Sequence, residues 1–187
     1  MTLTKRELLA GLATLPLALS ATGVAAQGVA TVVATTGMIA DAARQVGGDL
    51  VEVRGLMGPG VDPHSYRQTR SDIVAMARAD VVLWHGLYLE AQMEEFLQDL
   101  GERGTTYAVA ETLPRDLLLG HDDYEDKFDP HVWMVPDLWK HVVENVRDAL
   151  SAARPDSAEV FAANAAAHLA ELDELSTYAA GILASVP

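Results

Sequence analysis

The sequence predicts an α/β fold: a parallel four-stranded sheet flanked by helices, followed by one long helix. Three observations carry that prediction. Short apolar runs rich in β-branched residues are separated by stretches whose apolar residues recur at helical spacing, the strand and helix patterns alternate, and after Pro136 the pattern turns wholly helical.

The strands are expected over Thr31 to Ala34, Val51 to Leu56, Val81 to Trp84 and Tyr107 to Ala110. Each is a short apolar run, as in strands buried on both faces. Helices are expected over Met38 to Val46, Ser71 to Arg78 and Leu89 to Leu100, where the period changes from two to 3.6. Beyond Pro136, Leu138, Val142, Val146 and Leu150 share one face of a fourth helix, which the Arg154-Pro155 pair ends. An Ala-rich fifth helix then runs from Asp156 to about Leu183, with Phe161, Ala165, Leu169, Leu172 and Leu175 as its buried stripe. A helix of that length exceeds the globular mean and needs more than one surface to lie against.

With 187 residues, half of them apolar, the chain suffices for one compact domain and an appendage. The 27 acidic residues against 13 Lys and Arg leave a net charge of −14, which argues against a phosphate-tracking groove and hence against a nucleic-acid partner. Cysteine is absent, which excludes disulfides, thiolate metal sites and cysteine nucleophiles, as well as a lipoprotein anchor. Residues 1–26 read as a cleaved signal peptide. Lys5 and Arg6 form a basic region, Leu8 to Leu19 an apolar one broken by Pro16, and Val24-Ala25-Ala26 a small-residue cleavage site before Gln27. The apolar run is shorter than the roughly 20 residues a bilayer span needs. A soluble protein of the periplasm is the expectation; the Lys-Arg pair lacks the second Arg of a twin-arginine signal, so the export route stays open.

In parallel sheets, ligands bind beyond the carboxyl ends of the strands, which directs attention to the loops Met57 to Gln68, His85 to Tyr88 and Glu111 to Pro136. Two of them carry the same tripeptide, Asp62-Pro63-His64 and Asp129-Pro130-His131. Imidazole suits Zn and other divalent first-row metals, proline stiffens the backbone before each ring, and the preceding Asp is placed to accept the second ring N–H. His64 and His131 are therefore the candidate metal ligands. His85, His121, His141 and His168 are read as ordinary surface or core residues, and Trp84, Trp133, Trp139 and Tyr66 as wall and core. The segment His121-Asp122-Asp123-Tyr124-Glu125-Asp126 is a solvated acidic loop, or at most a weak collector of cations. Gly58-Pro59-Gly60 is turn chemistry, since neither a P-loop nor a dinucleotide fingerprint follows, and Ser65 lacks the context of a hydrolase nucleophile.

Together the runs Gly55 to Tyr66, His85 to Glu90 and Phe128 to Trp133 closely resemble the zinc and manganese solute-binding proteins of ABC importers, the ZnuA/TroA-like family. The resemblance extends from about Thr31 to the end of the chain. It implies two α/β lobes joined by one rigid helix, with the metal in the cleft and His64 and His131 as the first-lobe ligands. Residues 27–154 are then the N-terminal lobe and 155–187 the linking backbone helix. Relatives often carry Asn at the position of His85, so no ligand role passes to it. The second lobe, which in the family supplies a further His or Glu and a final Asp, has no counterpart before Pro187. A chain truncated after the linking helix, weaker metal binding and an apolar patch on that helix are expected. The resemblance further implies periplasmic capture of Zn²⁺ or Mn²⁺ as transported ligand, a permease partner with its cytoplasmic ATPase, a monomer, and no catalysis. Alternatives of other classes are a metal-dependent hydrolase using both histidines and an adhesion or interaction module.

Overall fold

The computed structural model describes residues 28–102, 104–122 and 124–186; the expected signal peptide lies outside them. Four parallel strands, β1 (Ala30–Ala34), β2 (Val51–Gly55), β3 (Val81–Trp84) and β4 (Thr106–Ala108), form one sheet in the order β2-β1-β3-β4. The register sets Ala30 beside Val51, Val32 beside Val81 and Val82 beside Thr106. The sheet extends by backbone bonds past its assigned ends: Leu56 and Met57 N–H donate to the Ala34 and Thr35 carbonyls, and Val109 and Ala110 N–H to those of Trp84 and His85.

Alternate residues face opposite layers, so the apolar runs need helices on both sides. Val32, Ala34, Val81 and Leu83 pack with α1 (Gly37–Gly47), α4 (Pro136–Ala153) and α5 (Ala158–Leu183). Val33, Val82 and Trp84 pack with Met76 of α2 (Arg70–Arg78) and with Leu97 and Leu100 of α3 (Glu94–Gly101). Thr69 caps α2: its side chain accepts from the Asp72 N–H while the Asp72 carboxylate accepts from the Thr69 N–H. Pro136 opens α4, where a missing N–H costs nothing, and Pro155 follows its end.

Three expectations need correction. The edge strands are not buried on both faces: β2 carries exposed Glu52 and Arg54 between half-buried valines, and β4 is half-buried throughout. The third helix begins at Glu94, not Leu89, because Gly86, Leu87 and Tyr88 all adopt positive φ (83°, 51° and 64°) and turn the chain before it can wind. The apolar residues of that turn are nonetheless core, with Leu89 and Met93 buried. Leu175 is not part of the buried stripe of α5: it is 49 % exposed, whereas Phe161, Ala165 and Leu172 are buried and Leu169 partly so. The two helices are antiparallel, and α5 has 26 residues against 18 in α4. Ser176 already meets Asp137 in the first turn of α4, so the end of α5 runs on past its support, leaving Tyr178, Ile182 and Leu183 exposed. Among the described residues no helix is long and apolar enough to cross a membrane.

Candidate metal centre

Both Asp-Pro-His tripeptides lie at the carboxyl edge of the sheet, one in the loop after β2 and the other in the segment between β4 and α4. Each folds by the same local bond. Asp62 Oδ1 accepts the His64 N–H at 3.0 Å, and Asp129 Oδ1 accepts the His131 N–H at 2.9 Å. Asp is the residue type that closes such a turn on its own backbone, and proline between the two allows little alternative. The first loop is pinned further by the Tyr66 hydroxyl donating to Asp72 Oδ2 at 2.7 Å, which ties it to the cap of α2.

The ring bonds differ between the two copies. His131 Nδ1 lies 2.6 Å from Asp129 Oδ1, so the carboxylate holds the Nδ1–H tautomer and leaves the Nε2 lone pair free. Asp62 instead accepts the Ser65 hydroxyl through Oδ2 at 2.8 Å. Burial pushes the Asp129 carboxyl up, yet the bonds from the His131 backbone and ring outweigh it and hold it below the ordinary carboxylate range. Hydrogen bonds from Ser65 and the His64 N–H do the same for Asp62.

The structure brings the two candidate rings together: the His64 and His131 centroids stand 5.4 Å apart at an interplanar angle of 49°. They border an open depression of about 380 Å³ whose wall includes His121, Asp122 and Tyr124. Part of the acidic loop therefore forms the rim, while Asp123 lies outside the described residues. Among the described residues no group of three or more His, Cys, Asp or Glu side chains is gathered closely enough to hold an ion together. His141 and His168 lie on α4 and α5, each beside a glutamate of its own helix, Glu144 at 3.7 Å and Glu171 at 3.2 Å.

Of the surface and core readings left open for His85, the structure shows the core one. Its ring is fully buried behind the second tripeptide, with Nε2 2.7 Å from the Pro130 carbonyl oxygen. Burial pushes this imidazole down to about 4, so it is neutral at physiological pH. Glu90, also buried, braces the same corner by accepting the Thr35 hydroxyl and the His85 and Gly86 N–H groups.

A family model described as the periplasmic component A of a zinc-uptake complex, ZnuA, matches residues 32–187. The chain belongs to the ZnuA family. Within it, the chain is 42 % identical to the manganese-binding lipoprotein MntA of Bacillus subtilis over 156 residues, covering 83 % of this chain and 51 % of that one. It is 39 % identical to the zinc-binding protein TroA of Treponema pallidum over 163 residues, covering 87 % and 52 %. The solved structure of that periplasmic zinc-binding TroA superposes with a TM-score of 0.81 at 38 % identity, over 86 % of this chain and 57 % of TroA. The Zn(II)-bound ZnuA-like domain of Streptococcus pneumoniae AdcA superposes with a TM-score of 0.71 at 31 % identity, over 80 % and 54 %. This ZnuA-family chain thus spans about half the length of the curated relatives it matches.

Proposed function

We propose that this chain captures a divalent transition metal, Zn²⁺ or Mn²⁺, in the periplasm through His64 and His131. The ion is cargo: it passes to the permease of an ABC importer driven by a cytoplasmic ATPase, and no reaction is catalysed on it. Relatives named for zinc and manganese binding support the substrate class, and the family description supports the compartment. Export by a cleaved signal peptide over residues 1–26 belongs to the same reading; a secreted chain beginning near Gln27 on amino-terminal sequencing is its expected sign.

The observation that carries the proposal is the spacing of the two imidazoles. A Zn–N bond of about 2.1 Å, with the ring centre about 1.1 Å beyond the nitrogen, puts about 5.2 Å between the centroids of two imidazoles bound at the tetrahedral angle. The separation here is 5.4 Å. The two rings stand at a separation one shared ion requires, on turns each closed by its own aspartate.

Two imidazoles fill half of a tetrahedral shell, and other groups or water complete it. Binding by this chain alone is accordingly weaker than at a site with four protein donors. Nitrogen donors favour Zn²⁺ over Mn²⁺ by the Irving–Williams order, whichever ion is transported. Calorimetric titration of the metal-stripped chain is the test. The expected result is one Zn²⁺ per chain, weaker Mn²⁺, and a loss of at least about tenfold in Zn²⁺ affinity in both His64→Ala and His131→Ala. Zn²⁺ binding indifferent to both substitutions would refute the proposal.

A further inference from the structure

His85 stands at the carboxyl end of β3 with every main-chain group engaged. Its N–H donates to Glu90 Oε1 at 2.8 Å, and its carbonyl accepts the Ala110 N–H at 2.8 Å. The ring lies edge-on to Trp133, with centroids 5.5 Å apart, and is stacked with Trp139 at 6.5 Å. A ring gripped on two sides by indoles, on a backbone fixed at the sheet edge, has one accessible direction for its outer nitrogen. That nitrogen, Nε2, meets the carbonyl oxygen of Pro130 at 2.7 Å.

A carbonyl oxygen can only accept, so Nε2 carries the proton. The opposite tautomer would set two lone pairs against each other and bury an N–H at Nδ1, which finds no partner among the described residues. The Pro130–His131 peptide unit is consequently held at both ends. Its carbonyl accepts from His85 Nε2 and from the Val132 N–H at 2.8 Å, and its N–H donates to Asp129 Oδ1 at 2.9 Å. The His131 side chain projects from this unit, so a rotation of the peptide plane would swing the ring away from His64.

We propose that His85 is a positioning residue of the metal centre: its buried Nε2–H fixes the Pro130 carbonyl and thereby the direction in which His131 offers its ring to the ion. The consequence for metal binding rests on the capture reading above, whereas the geometry does not. The role belongs to the donor and not to the bulk of the ring. Removing the donor while keeping the volume frees one end of the peptide unit and leaves a buried carbonyl with one partner fewer.

The test compares His85→Phe, which fills the slot between the indoles without a donor, with His85→Gln, whose amide N–H can reach the position of Nε2. Zn²⁺ affinity of the full chain is read by competition with a chromophoric chelator, and long-range ¹H–¹⁵N spectra are read on the metal-free protein. A loss of roughly 10–100-fold in His85→Phe, with His85→Gln staying within about threefold of the unsubstituted chain, is expected of a neighbour that orients a ligand. The metal-free spectra should show His85 protonated at Nε2, and shifts of the His131 amide and ring signals in His85→Phe that His85→Gln does not reproduce. An Nδ1-protonated His85, or a Gln variant that loses as much as the Phe variant, would overturn the proposal, as would unchanged affinity in His85→Phe. Should His85→Phe fail to fold, the tautomer and the Gln variant decide. If the unsubstituted chain binds no Zn²⁺, the capture reading falls by itself, and the spectra still decide the role of His85.

Discussion

Asp129 serves His131 twice through one oxygen, fixing the backbone of the turn and the tautomer of the ring. Asp62 serves His64 only through the backbone. The two aspartates are alike in sequence, and the structure makes them unequal. Asp129→Ala is expected to weaken Zn²⁺ binding by roughly 10–100-fold and Asp62→Ala by less than about tenfold, as measured by chelator competition. His85 makes a second prediction, in stability. Its ring has an ordinary pKa of 6.5 that burial pushes down to about 4. Between those values the unfolded chain binds a proton that the folded chain refuses. Stability from this ring is therefore complete above about pH 6.5 and falls as the pH drops towards about 4, by on the order of 3 kcal/mol. Stabilities from urea unfolding at about pH 7 and about pH 5 should differ by a ring share of about 2 kcal/mol in the unsubstituted chain, a share that His85→Phe removes. The pairing of His64 with His131 was legible from the repeated tripeptide. The burial of His85 was not, because Trp133 and Trp139 close around it only once α4 has packed against the sheet.

At the scale of elements, the cap of α2 links helix stability to the metal loop. Asp72 is buried and accepts from the Thr69 N–H, the Thr69 hydroxyl and the Tyr66 hydroxyl, and it pairs with Arg54 at 3.4 Å. Burial raises its carboxyl, but these donors prevail and hold it below the ordinary value. Its contribution is thus present above the unfolded value near 3.8 and is lost as the pH falls through the lower folded value. Thr69→Ala should cost ~1 kcal/mol and Asp72→Ala ~2 kcal/mol in denaturant unfolding. In α5, Phe161→Ala should cost ~3–5 kcal/mol, while Leu175→Ala should stay within ~0.5 kcal/mol. Apolar spacing announces both positions equally; Leu175 stands level with the first turn of α4, where the facing helix is ending, and is half exposed. The start of α3 eluded the periodic reading for a related reason. Leu89 and Met93 have helical spacing and are core, but the positive φ of Leu87 and Tyr88 is unmarked by residue type. The central strands β1 and β3 were easier, since their Val and Trp runs are buried and admit few other placements, whereas the edge strands β2 and β4 are only half-buried.

Across the whole molecule, the sheet order β2-β1-β3-β4 places the turn after β2 and the segment after β4 at one edge of the same sheet. The tripeptides come from opposite ends of the strand order and still meet, because the segment after β4 returns across that edge before entering α4. A depression of about 700 Å³ lies beside them, lined by Leu117, Leu119 and Val135 and by Leu169 of α5. Leu119 within it is 73 % exposed; the exposed apolar residues Tyr178, Ile182 and Leu183 of α5 lie at the far end of that helix. The central claim is that one ion binds both imidazoles, and zinc K-edge X-ray absorption of the Zn²⁺-loaded chain tests it most directly. Two imidazole nitrogens at about 2.0–2.1 Å are predicted in the unsubstituted protein, with one remaining in each of His64→Ala and His131→Ala. An imidazole count that neither substitution changes would contradict the account.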